Sequence, residues 1–153
     1  MYCVTEKETR SDAVFIARRL YTGSYYATYS SSERMIYLDA VINPGQHYST
    51  STGEYTCPVT GTYVFTYSIY AYDIKDGSTL SVATASLYMD GTQISRIYLN
   101  NENSEDIDIS LSRSDIVQCS QGDRVWVQSV YSKNCIWGIS VYNMFSEVLL
   151  YTT

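Results

Sequence analysis

The chain has 153 residues, with 16 acidic side chains against 10 basic ones and a formal charge of −6. A domain of this size buries roughly 70% of its unfolded surface, enough for a core without metal or disulfide staples. The acidic balance speaks against nucleic-acid binding and polybasic membrane docking, which need clustered Lys and Arg, and no apolar run approaches the ~20 residues that cross a bilayer.

Residues 1–12, MYCVTEKETRSD, are polar and lack the apolar core of a signal peptide, so they read as a tail ahead of a domain spanning 13–153. Strand-like runs then recur at short intervals, separated by turns. Arg10–Leu20 is a first strand, Gly23–Arg34 a Ser- and Tyr-rich connection, and Met35–Ile42 a second strand stopped by Asn43-Pro44-Gly45. Glu54–Val59 and Thr62–Tyr72 follow, broken by Thr60-Gly61. In the latter, Tyr63, Phe65 and Tyr67 recur with a period of two, which puts three rings on one face of a pleated ribbon. Lys75-Asp76-Gly77 is the next turn. Ser81–Met89 and Thr92–Leu99 flank Asp90-Gly91 and predict a hairpin, because Asp-Gly accepts the positive φ of a two-residue primed turn. Asn100–Ile109 reads as an acidic loop, and Ile116–Cys119, Asp123–Tyr131 and Gly138–Tyr151 complete the chain. No helical period is present. The pattern predicts an all-β sandwich of about ten strands.

Within Tyr37–Tyr67 the order is Tyr37, Asn43, Tyr48, Tyr55, then Gly61, Tyr63, Phe65 and Tyr67 at alternate positions. That order resembles the globular head of complement C1q and its tumour-necrosis-factor-like relatives, whose pattern runs aromatic, Asn or Asp, aromatic, Phe, then Gly-x-Tyr-x-Phe-x-aromatic. Gln121–Gln128, QGDRVWVQ, resembles the family's Gly-Asp-x-Val-Trp segment. Phe145–Tyr151, FSEVLLY, resembles its terminal Phe-Ser-Gly-Phe-Leu-Leu-Tyr strand, and Ala13–Arg19 its opening strand. Tyr37 and Tyr55 stand where Phe is preferred, each adding a hydroxyl that needs a partner if buried. Glu147 stands where the family carries Gly. The resemblance implies an antiparallel jelly roll, a homotrimer about a three-fold axis, and secretion with a signal peptide that is not in this chain. The collagen-like Gly-X-Y repeat of many relatives is also not in it.

Candidate sites are few. His47, the single histidine, sits in a Gly-Gln-His-Tyr turn with no nucleophile motif beside it, and there is no phosphate-cradling Gly loop, so the chain reads as a non-enzyme. Cys3, Cys57, Cys119 and Cys135 form no Cys-x-x-Cys pair for zinc. Cys57 reads as a buried free thiol, and Cys3 as a tail cysteine free to link subunits or to do nothing. Cys119 and Cys135, which bracket the Trp126 strand, could form a disulfide, though sequence does not assign the pairing. The acidic loop offers Glu105, Asp106 and Asp108 as calcium ligands, against the ordinary reading of a solvated loop. Tyr26 in the Tyr-rich connection, with Tyr131, Asn134 and Trp137 further on, could make an aromatic platform for a carbohydrate; packing at a subunit interface is the alternative. Three functions stay open: a lectin-like recognition protein for carbohydrate or microbial surfaces, a receptor-binding signalling ligand, and a calcium-holding matrix protein.

Overall fold

The rings of Tyr63, Phe65 and Tyr67 all lie fully buried on the longest strand of the molecule. The structure is a computed structural model that describes residues 12–20, 29, 31–74, 82–101, 107–130, 136, 138 and 140–153. Among these residues nine strands form: β1 (Val14–Arg18), β2 (Asp39–Ile42), β3 (Glu54–Thr56), β4 (Gly61–Ile74), β5 (Val82–Met89), β6 (Thr92–Asn100), β7 (Ile107–Cys119), β8 (Arg124–Gln128) and β9 (Met144–Thr152). They build a five-stranded sheet in the order β2-β1-β9-β4-β7 and a four-stranded sheet in the order β3-β8-β5-β6. The paired strands run antiparallel, and strands distant in sequence lie side by side, as in a jelly roll.

The core follows from alternation. In β4 the inward residues are Tyr63, Phe65, Tyr67, Ile69 and Ala71, and in β9 they are Phe145, Glu147 and Leu149. Facing them, β5 contributes the small side chains of Ala83 and Ala85 with Leu87, which leaves room for the rings of the opposite sheet. Phe15 stacks on Tyr48 at 4.7 Å and on Tyr55 at 4.9 Å, while Phe145 touches Phe15, Tyr37, Tyr48 and Phe65.

The placing of Asn43 five residues before Tyr48 has a mechanical basis. Asn43 Nδ2 donates to the Tyr48 carbonyl at 2.8 Å and its Oδ1 accepts from the Tyr48 N–H. The Tyr48 hydroxyl then donates to the Tyr37 carbonyl and accepts from the Tyr37 N–H, at 3.0 and 2.9 Å. Tyr37 lies where the chain passes between sheets, so its backbone has no ladder partner and the buried phenol supplies one.

Several strand bounds differ from the sequence reading: Glu54–Val59 ends at Thr56, Gly138–Tyr151 becomes a strand only from Met144, and two further segments change more. Met35–Ile42 is not one strand: Arg34 bridges Gln128 and the Met35 N–H bonds Val127, both on β8, before the chain crosses to pair with β1 as β2. The acidic loop is also shorter than expected, because β7 runs from Ile107 through Cys119 and includes Asp108. Inward-facing charge hid it. Asp115 pairs across from Phe65, accepts a short hydrogen bond from Ser95 and is bridged by Arg113 at 3.1 Å. The hairpin at Asp90-Gly91 forms as expected, with φ of 46° and 85°.

Candidate recognition surface

Each sheet turns one face outward. On the five-stranded sheet, Val148 of β9 pairs with Val64 of β4, which pairs in turn with Ile116 of β7. These three apolar side chains therefore form one continuous row across neighbouring strands. Ile116 is 72% exposed and Val148 49%. The adjacent row is polar: Thr66 and Ser114 share a hydrogen bond at 2.7 Å, and the Ser146 hydroxyl points to the Thr66 carbonyl. An isolated exposed Val or Ile is ordinary; here three β-branched residues align across β9, β4 and the edge strand β7.

The four-stranded sheet carries an aromatic and arginine lattice. Glu54, Trp126, Tyr88 and Gln93 lie in one row across all four strands. The Tyr88 and Trp126 rings are parallel at 6.1 Å, and the Arg34 guanidinium sits 4.4 Å over the Trp126 ring. Arg34 Nη1 is 2.6 Å from Glu54 Oε1, and Trp126 Nε1 donates to Gln128 Oε1 at 2.8 Å. Arg96 donates to Gln93 Oε1 at 3.0 Å and to Ser86 Oγ at 3.3 Å, with no carboxylate partner among the described residues. Trp126 is 7% exposed, so its ring supports Arg34 rather than offering an open stacking face. Tyr88, Gln93 and Arg96 make up the accessible part.

Between the sheets lies a third feature, built from two positions where the chain departs from the family pattern. Glu147 is 1% exposed, and its carboxyl faces the Tyr55 hydroxyl. Among the described residues, neither carboxyl oxygen nor the phenol oxygen finds a partner at hydrogen-bonding distance and angle. Burial pushes the Glu147 carboxyl up to about 8, partly offset by the Tyr55 phenol, so it is a neutral acid at pH 7. Burial first, then the Glu147 charge, holds the Tyr55 phenol far above the ordinary tyrosine range. Tyr37, the other Phe-to-Tyr position, reaches the Ser68 carbonyl at 3.4 Å.

Tyr26, Tyr131, Asn134 and Trp137, together with Glu105, Asp106, Cys3 and Cys135, lie outside the described residues. Asp108 is an exposed residue of β7, and no group of three His, Cys, Asp or Glu side chains among the described residues is placed to hold a metal ion. Cys57 and Cys119 are both buried free thiols. Sequence reasoning missed Arg34, Tyr88 and Arg96 on one face and the Val64, Ile116 and Val148 row on the other. Each is unremarkable in its own strand and gains meaning only from cross-strand register.

Comparison with known proteins agrees with this architecture. Human complement C1q tumor necrosis factor-related protein 2 is 33% identical over 93 residues, 61% of this chain and 29% of that protein. Zebrafish caprin-2 is 32% identical over 110 residues, covering 71% of this chain and 11% of that protein. The chain thus spans less than a third of the length of these curated relatives. Among solved structures, the globular domain of zebrafish complement 1qA superposes with a TM-score of 0.65 at 16% identity, covering 92% of this chain and 99% of that one. The Eiger TNF of S. frugiperda does so with a TM-score of 0.73 at 13% identity, covering 92% and 94%. The C1q domain family model matches residues 15–150. The chain therefore belongs to the C1q domain family, whose C1q/TNF-like members are non-enzymatic ligand-binding or signalling proteins.

Proposed function

We propose that this chain is the recognition head of an extracellular protein, works as a homotrimer, and binds carbohydrate or cell-surface ligands in a lectin-like way. The observation that carries the reading is the exposed Val148–Val64–Ile116 row. Burying such a row against two further copies of the chain removes its apolar surface from water. It would also leave the Tyr88–Gln93–Arg96 side of the molecule facing outward three times over. Three weak sites on one particle raise avidity by orders of magnitude without any new contact. Tyr26, Tyr131, Asn134 and Trp137 are the proposed aromatic and amide contacts to a sugar. Glu105, Asp106 and Asp108 are the proposed ligands should calcium take part.

A glycan array probed with the wild-type chain and with Ile116→Glu separates the parts of this reading. The wild type is expected to bind a defined set of glycans. Ile116→Glu, monomeric with its outward face intact, is expected to lose apparent affinity by roughly 10²-fold or more. A wild-type protein that binds no glycan removes the lectin reading and leaves the receptor-binding and calcium-holding matrix ones.

A further inference from the structure

Cys57 and Cys119 are the two described cysteines, 1% and 2% exposed, and they meet inside the same core. They come from opposite layers. Cys57 follows β3, the three-residue edge strand of the four-stranded sheet, while Cys119 ends β7 at the edge of the five-stranded sheet, opposite Gly61. The backbone brings them together. The Cys57 N–H donates to the Asp123 carbonyl at 2.9 Å, and the Gly122 N–H donates to the Cys57 carbonyl at 2.8 Å. Cys57 is thus tied on both sides to the turn that directly follows Cys119. Their side chains face each other, and Cys119 Sγ also lies 3.8 Å from Met89 Sδ.

We propose that Cys57 and Cys119 are a modification site that closes as an inter-sheet disulfide when the chain folds in an oxidising compartment. The oxidant is an external disulfide, either oxidised glutathione or the active-site disulfide of an oxidase. A Cys57 thiolate attacks one sulfur of that disulfide, and the other sulfur leaves as a thiolate. Cys119 then attacks Cys57 Sγ, forming the protein S–S bond and expelling the second external thiol. Two protein thiols become one disulfide, the external disulfide becomes two thiols, and two electrons pass outward with their protons. In the closed domain both sulfurs are shielded, and the adjoining Cys119 and burial together push the Cys57 thiol up. Exchange therefore takes place during folding, or when the short β3 edge opens locally. The bond would close a long loop containing β4, β5, β6 and β7, the situation in which a cross-link constrains the unfolded chain most.

The supply of oxidant in nature rests on the extracellular reading; the test supplies its own. A Cys3→Ser/Cys135→Ser chain is refolded from urea in a glutathione redox buffer, then denatured and alkylated. The expected result is a mass about 2 Da below the dithiol, no alkylation, and a thermal midpoint that falls by roughly 5–15 °C on adding dithiothreitol. Two alkylated thiols per chain and a midpoint indifferent to reductant would overturn the proposal. Should that variant not fold, non-reducing peptide mapping of the wild type decides. A linked Cys57–Cys119 peptide supports it, and free Cys57 and Cys119, or a bond from either to Cys3 or Cys135, overturns it.

Discussion

Alanine at Phe145 is expected to cost about 3–5 kcal/mol, enough to consume a large part of the stability of a domain this size. Phe145 is completely buried and lies 4.9 Å from Phe15, 5.9 Å from Tyr37 and Tyr48, and 6.2 Å from Phe65. Those rings come from β1, from the crossing segment before β2, from the turn after it, and from β4. Removing the ring leaves a cavity that none of them can fill, because each is held by its own backbone and by further rings. Phe145→Leu, which keeps most of the volume, is expected to cost under about 1.5 kcal/mol. Urea midpoints at unchanged m-value measure both. A Phe145→Ala chain within 1 kcal/mol of wild type would mean the ring does not organise this aromatic cluster.

The second large effect is a dependence on pH set by Glu147. The carboxyl titrates near 4.5 when unfolded and at about 8 when folded. Between these values the folded chain holds a proton that the unfolded chain releases, so stability falls as pH rises. The contribution is fully present below about 4.5 and is lost as pH climbs through about 8. At 1.36 kcal/mol per pH unit, the loss amounts to roughly 3 kcal/mol between pH 4.5 and 7, with more following up to pH 8. Glu147→Gln cannot ionise, so its stability should be flat over this window where the wild type declines. Comparing the two slopes, rather than single values, cancels any packing cost of the amide. Parallel thermal-midpoint curves from pH 5 to 9 would show that the carboxyl is not carried into the core as a neutral acid.

Much of the frame was legible because alternation and turn chemistry are local. Tyr63, Phe65 and Tyr67 declare their face by spacing alone, and Asp90-Gly91 declares its turn. Gly61 is explained by packing: a Cβ there would meet the Tyr151 carbonyl at 2.5 Å and Leu149 Cδ1 at 2.9 Å, where β9 presses on β4. What stayed hidden depends on other strands. Arg113 and Asp115 interrupt the apolar alternation of β7; Arg113 stays half exposed, and the covered carboxylate of Asp115 makes sense only beside Ser95 of β6. Tyr55 and Glu147 each look like isolated departures from the family pattern, yet they face one another in the core. Val64, Ile116 and Val148 stand far apart in sequence and become a row only through the register of β7, β4 and β9.

Sedimentation equilibrium at micromolar concentration tests the proposed assembly most directly. The wild-type chain should sediment as a particle of about 52 kDa, three times the 17.4 kDa chain, and Ile116→Glu as the single chain with its fold intact by circular dichroism. A wild-type mass of 17.4 kDa across that range would contradict the account, because the exposed apolar row would then cover nothing.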